Sequence, residues 1–99
     1  MKLNELTKGP FENLIATIHS VGEVEEIEVN GNKTKRQDGI LQDETDQIKF
    51  TFWGDAAGNF KEGDKVIIKG FCKEFKEELQ VSNGKYGTVK LVPKLDPVL

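Results

Sequence analysis

Ninety-nine residues, 36% hydrophobic and 31% charged, describe one globular domain with a modest core and exclude a disordered chain. No apolar run approaches the ~18 residues of a membrane span. Met1-Lys2-Leu3-Asn4 does not lead into a signal-peptide core, and the single cysteine forms no internal disulfide, so the chain reads as cytoplasmic. Fourteen Lys and Arg against seventeen Asp and Glu give a net charge of −3, which excludes a generally basic nucleic-acid binder but leaves room for a local basic face.

The first ten residues, MKLNELTKGP, place Leu3 and Leu6 at helical spacing before a Gly9-Pro10 breaker, predicting one helical turn against the domain. Alternation begins at Asn13, with Leu14, Ala16 and Ile18 inward and Ile15, Thr17 and His19 outward. Val24 keeps the inward parity, whereas Ile27 and Val29 have switched, so a bulge or bend near Glu25-Glu26 is expected in one long first strand. Asn30-Gly31 is a hairpin signal, and the second strand returns over Lys33 to Asp43, with Arg36, Asp38 and Ile40 outward. DETDQ, Asp43 to Gln47, is turn chemistry. The third strand, Ile48 to Trp53, alternates strictly: Ile48, Phe50 and Phe52 against Lys49, Thr51 and Trp53. Ala56-Ala57 suits a short helical link. The fourth strand, Lys65 to Lys73, sets Val66, Ile68, Gly70 and Cys72 against Lys65, Ile67, Lys69, Phe71 and Lys73, and the same parity continues to Phe75. Leu79, Val81, Val89 and Leu91 supply the last strand material around an Asn83-Gly84 turn.

This order predicts an all-β fold: a five-stranded Greek-key barrel of the OB type, with a short helical link between strands 3 and 4. An SH3-like barrel is the competitor and usually lacks that link. Residues 1–92 are expected to form one domain, with the helical turn in 1–10, and 93–99, bounded by Pro93 and Pro97, to form a tail or linker.

The chain's only tryptophan lies on the polar side of its strand. Trp53 shares that side with Lys49 and Thr51, and Phe71 and Phe75 share theirs with Lys69 and Lys73; Arg36, Lys35 and Lys33 come from the second strand. Glu23, Glu25, Glu26 and Glu28 fall on the far part of the first strand, while Glu74, Glu77 and Glu78 dilute the patch. Aromatic plates interleaved with cations suit a single-stranded nucleic acid, whose bases stack on rings and whose phosphates need Lys or Arg. An apolar ligand would use the rings without the lysines, and a duplex the lysines without the rings.

The run LQDETDQIKFTFWGDAAGNFKEGDKVIIKGFCKEFKEELQVS resembles the OB domains of archaeal single-stranded-DNA-binding proteins and of replication protein A. The shared features are a DETG-like turn, a strand ending in Trp-Gly, a KEGD turn and paired aromatics on the fourth strand; Asp46 stands where the family usually has Gly. The resemblance implies an OB barrel binding single-stranded DNA in replication, recombination or repair, with stacking rings at Trp53, Phe71 and Phe75. A zinc motif and an acidic tail, found in some relatives, are absent here.

Bland readings of the same residues remain at this level. Trp53 could seal a barrel end, Phe71 and Phe75 could form a protein–protein patch, and the lysines could be solvated edge charges. His19 reads as a surface residue and Cys72 as a core thiol. Asp43, Glu44 and Asp46 lack the spacing of a calcium loop, and Asn32-Lys33-Thr34 is a formal sequon without meaning in a cytoplasmic chain. No catalytic or cofactor motif is read. The expectation is a non-enzymatic binder of single-stranded DNA with little sequence preference. An OB module that recruits replication or repair proteins, and an RNA-binding OB domain, are the alternatives.

Overall fold

The computed structural model describes residues 1–84 and 87–92; the expected tail at 93–99 lies outside the described residues. A 3-10 turn, Leu3–Glu5, precedes the strands β1 (Gly9–Val21), β2 (Glu25–Val29), β3 (Asn32–Gln42), β4 (Gln47–Trp53), β5 (Lys65–Phe75), β6 (Glu78–Ser82) and β7 (Thr88–Leu91). A second 3-10 turn, Gly54–Ala56, follows β4 and supplies the expected link.

Hydrogen bonding runs β1-β3-β4-β6-β5, and β5 pairs back to β1, so five strands close into a ring. The β4–β6 pairing is parallel and the others are antiparallel. The barrel of five strands expected from the alternation is therefore present. Closure buries the inward set: Leu14, Ile18, Leu41, Phe52, Val66, Ile68 and Cys72 are all at 0% exposure, and Phe50 and Val81 at 1%. Leu3 and Leu6 of the N-terminal segment join this core, as their spacing predicts.

Gly70 marks the point where β5 changes partners. Ile68 and Lys69 pair with β7, while Phe71 and Cys72 pair with β6. A Cβ on Gly70 would stand 2.0 Å from the Ser82 carbonyl oxygen, so only glycine lets the two backbones approach this closely.

Four expectations for the first strand are corrected. The first strand is not one bent strand: it stops at Val21, and β2 is separate. The register irregularities in β1 fall between Ile18 and Ser20 and between Phe11 and Leu14, not at Glu25-Glu26. Val24 is 42% exposed rather than inward. The physical reason is that β2 pairs only with β3, as a two-stranded arm beyond the barrel, where no core imposes a parity on Ile27 or Val29. The strand also starts earlier than Asn13: Gly9 (φ +125°) and Pro10 open it, opposite Cys72 and Phe71 of β5. The Asn30-Gly31 hairpin forms as read, with both residues at positive φ (51° and 81°).

The DETD turn ties the N-terminal segment to the barrel. Asp43 accepts hydrogen bonds from the backbone N–H groups of Leu3 (2.7 Å), Thr45 (2.7 Å) and Asp46 (3.1 Å), and Thr45 Oγ1 accepts from Asn4 N–H (3.1 Å). Desolvation alone would raise the Asp43 pKa, but the donors from Leu3, Thr45 and Asp46 outweigh it and lower the value from 3.8 to about 2. A carboxylate with a depressed folded pKa stabilises fully above its unfolded value, and that contribution is lost as pH falls from about 4 toward 2. Asp43→Asn should thus be less stable near pH 6, by on the order of 2 kcal/mol, with the gap closing by pH 2. Urea midpoints across that range check this; parallel curves for the two proteins would remove Asp43 as the acid-sensitive clasp.

Candidate nucleic-acid interface

The outward side chains of four strands line up in rows, because neighbouring strands stand ~4.8 Å apart and alternate residues ~6.7 Å apart along each strand. In register, Arg36 lies beside Trp53; Asp38 beside Thr51, Ser82 and Phe71; and Ile40 beside Lys49, Gln80 and Lys73. Phe75 sits across from Glu78 at the hairpin end. Six of the ten candidate residues (Trp53, Phe71, Phe75, Lys49, Thr51 and Lys73) thus share one outer face, whose reverse is the core of Phe50, Phe52, Cys72 and Val81. Arg36 completes one edge of it. Lys69 extends the face along β5 toward β7, opposite Thr88.

The rings differ in their settings. Phe71 is 44% exposed and Phe75 60%, with the Lys76 ammonium 5.4 Å from the Phe75 ring centroid. Trp53 is half-buried, and the Arg36 guanidinium lies 5.6 Å from its ring centroid, a cation–π contact. Its backbone is held from both sides. Asn83 Oδ1 accepts from Trp53 N–H at 2.8 Å, and Asn83 Nδ2 donates to the Trp53 carbonyl at 3.1 Å. The strand ends at Trp53 because Gly54 turns at φ +66°.

The cations fall into four groups. Arg36 is engaged with Asp38, at 3.2 and 3.3 Å, and Asp38 also accepts from the Thr51 hydroxyl at 2.7 Å. Lys49 pairs with Glu78 at 3.6 Å. Lys69 and Lys73 are exposed and have no ion pair among the described residues. Lys33 and Lys35 stand on the arm, across from Glu28 and Glu26, with the opposite parity to Arg36, so they do not share the ring-bearing face. The acids of β2 are closer than the sequence suggested: Glu25 lies directly across from Arg36. A groove of about 490 Å³ beside Phe71 is lined by Lys69, Gly70, Pro10, Asn83, Gly84 and Gly87.

Sequence reasoning read Asn83 only as a turn residue, whereas it is buried and positions Trp53, and it passed over Gln37, which bridges Gly22 O and Gly58 N–H at 2.9 Å each. It also passed over Gln80 and Ser82, although the inward parity of Leu79 and Val81 already placed both on the outer face.

Residues 18–89 match the family described as OB-fold nucleic acid binding domain. The chain belongs to that family. Over 73 residues this OB-fold domain is 30% identical to the single-stranded DNA binding protein Ssb of Saccharolobus solfataricus, covering 73% of this chain and 49% of that protein. It therefore spans about half the length of that curated relative. Its fold is similar to an OB domain from Thermoplasma acidophilum (TM-score 0.77, 21% identity, 100% of this chain and 92% of the other). It is equally similar to the second OB-fold domain of replication protein A from Methanococcus maripaludis (TM-score 0.77, 22% identity, 96% and 98% coverage). The OB barrel, not the SH3-like competitor, is the architecture. No helix among the described residues is long and apolar enough to cross a membrane.

Proposed function

We propose that this OB-fold domain binds single-stranded DNA without catalysis, stacking bases on Trp53, Phe71 and Phe75 and contacting phosphates through Lys69 and Lys73, with Lys49 released from Glu78 on binding and Arg36 kept on Asp38. One observation carries the reading: two phenylalanines, 44% and 60% exposed, lie beside lysines that have no ion pair among the described residues, on the sheet face that also holds Trp53. Leaving such rings in water has no structural benefit, whereas each base stacked on one is worth ~1–3 kcal/mol. The likeness to Ssb supports the same ligand, and a place in DNA replication, recombination or repair follows from it as part of the proposal.

Trp53 provides the test. Its emission should be quenched by single-stranded oligo-dT at low salt and micromolar protein, and little changed by a duplex of equal length. Absence of quenching with both would remove the stacking role and favour a partner protein on Phe71 and Phe75; equal response to RNA and DNA strands would widen the ligand to RNA, because stacking does not sense the 2′-hydroxyl.

A further inference from the structure

The row Asp38–Thr51–Ser82 runs across the middle of the face, with Phe71 at its end and Trp53 one row along. An acidic side chain there is unsuited to phosphate, and its hydrogen bonds make the row directional. A carboxylate offers about four acceptor positions. Arg36 takes one on each Asp38 oxygen and Thr51 takes another on Oδ1, which leaves a position on Oδ2. Thr51, having given its hydrogen to Asp38, presents only lone pairs outward. Ser82 Oγ accepts from Gly84 N–H at 3.0 Å, and among the described residues its own hydrogen has no acceptor. The row therefore reads acceptor, acceptor, donor.

We infer that this row reads a base edge and prefers guanine, an inference that rests on the single-stranded DNA reading above. The Watson–Crick edge of guanine runs donor (N2), donor (N1), acceptor (O6), the complement of Asp38, Thr51 and Ser82. Cytosine presents donor, acceptor, acceptor, and thymine acceptor, donor, acceptor; each sets at least one lone pair against another. Unpaired bases expose these edges, so a side-chain row can select among them while the rings remain indifferent. Asp38 also repels the backbone, which keeps phosphates toward Lys69 and Lys73 and turns the base edge inward. Its ion pair with Arg36 holds the carboxylate in place.

Competition against fluorescein-labelled oligo-dT, followed by anisotropy in lithium buffer to prevent guanine quadruplexes, tests this. An alternating dT-dG dodecamer should compete about tenfold better than the same strand carrying deoxyinosine, which lacks the 2-amino group, or than oligo-dT, the scale of one good base-edge contact. Asp38→Asn should abolish the dG-over-deoxyinosine ratio while oligo-dT binding persists, and Thr51→Val should lower the advantage of the dT-dG strand over an alternating dT-dC strand, because the cytosine N3 is the acceptor that opposes the Thr51 lone pair. Equal competition by all three strands, with oligo-dT clearly bound, overturns guanine selection and leaves the single-stranded DNA reading standing. A ratio that survives Asp38→Asn overturns the assignment to Asp38. Failure of every strand to bind removes the underlying reading and this inference together.

Discussion

Cys72→Asp is expected to cost about 3–5 kcal/mol, a large part of the 5–15 kcal/mol that holds a domain of this size together. Cys72 has 0% exposure and faces the core beside Val66 and Ile68, across from Val81 of β6 and Gly9 of β1. Burial pushes its thiol pKa up, which keeps it neutral, and a carboxylate in the same position would meet the same desolvation without a cation beside it. Urea unfolding measures the loss, with Cys72→Ala as the control that removes the thiol without adding charge. Native protein should react slowly with a thiol reagent and unfolded protein fast. Rapid labelling of the native state would place Cys72 outside, invert the parity of β5 and bury Phe71, so this measurement checks the core and the binding face together.

That parity was legible in the sequence because one side of β4 and β5 packs against a core. Ile48, Phe50 and Phe52, and Val66, Ile68 and Cys72, must all point the same way once the ring closes, and their neighbours are then outward by geometry. The arm β2–β3 has no such constraint, which is why Ile27 and Val29 suggested a bend that lies elsewhere. The hairpin joining β5 to β6 was hidden for another reason. Its two turn residues, Lys76 and Glu77, take positive φ (52° and 67°) without the Asn or Gly that usually signals such a turn. The charge pairing divides along the same line. Arg36 and Asp38 are two apart on one strand, so their contact was available from the alternation alone, whereas Lys49 and Glu78 meet only through the parallel β4–β6 pairing of distant segments. The net charge of −3 concealed the face because a total carries no positions: Lys69 and Lys73 stand on β5 beside Phe71 and Phe75, while Glu25, Glu26 and Glu28 belong to β2.

Rings and charges should separate in the binding energetics. Phe71→Ala and Phe75→Ala should each weaken single-stranded DNA binding by about 1–3 kcal/mol, leaving the slope of log K against log salt nearly unchanged, since no phosphate contact is lost. Lys69→Ala and Lys73→Ala should instead flatten that slope by about 0.7 each, because each removes a neutralised phosphate and the counterions released with it. Lys49 should behave differently from both. Its ammonium is already held 3.6 Å from Glu78, an exposed pair that contributes little to stability, so binding must exchange one anion for another. Lys49→Ala should therefore weaken binding less than Lys73→Ala, and Glu78→Gln should tighten it at low salt by freeing Lys49 for a phosphate. Salt titrations of these variants, read by Trp53 quenching or by anisotropy, give the slopes directly. A phenylalanine variant that changes the slope and a lysine variant that does not would mean that the rings pack internally and that the outer face of β3, β4, β6 and β5 is not where the strand lies.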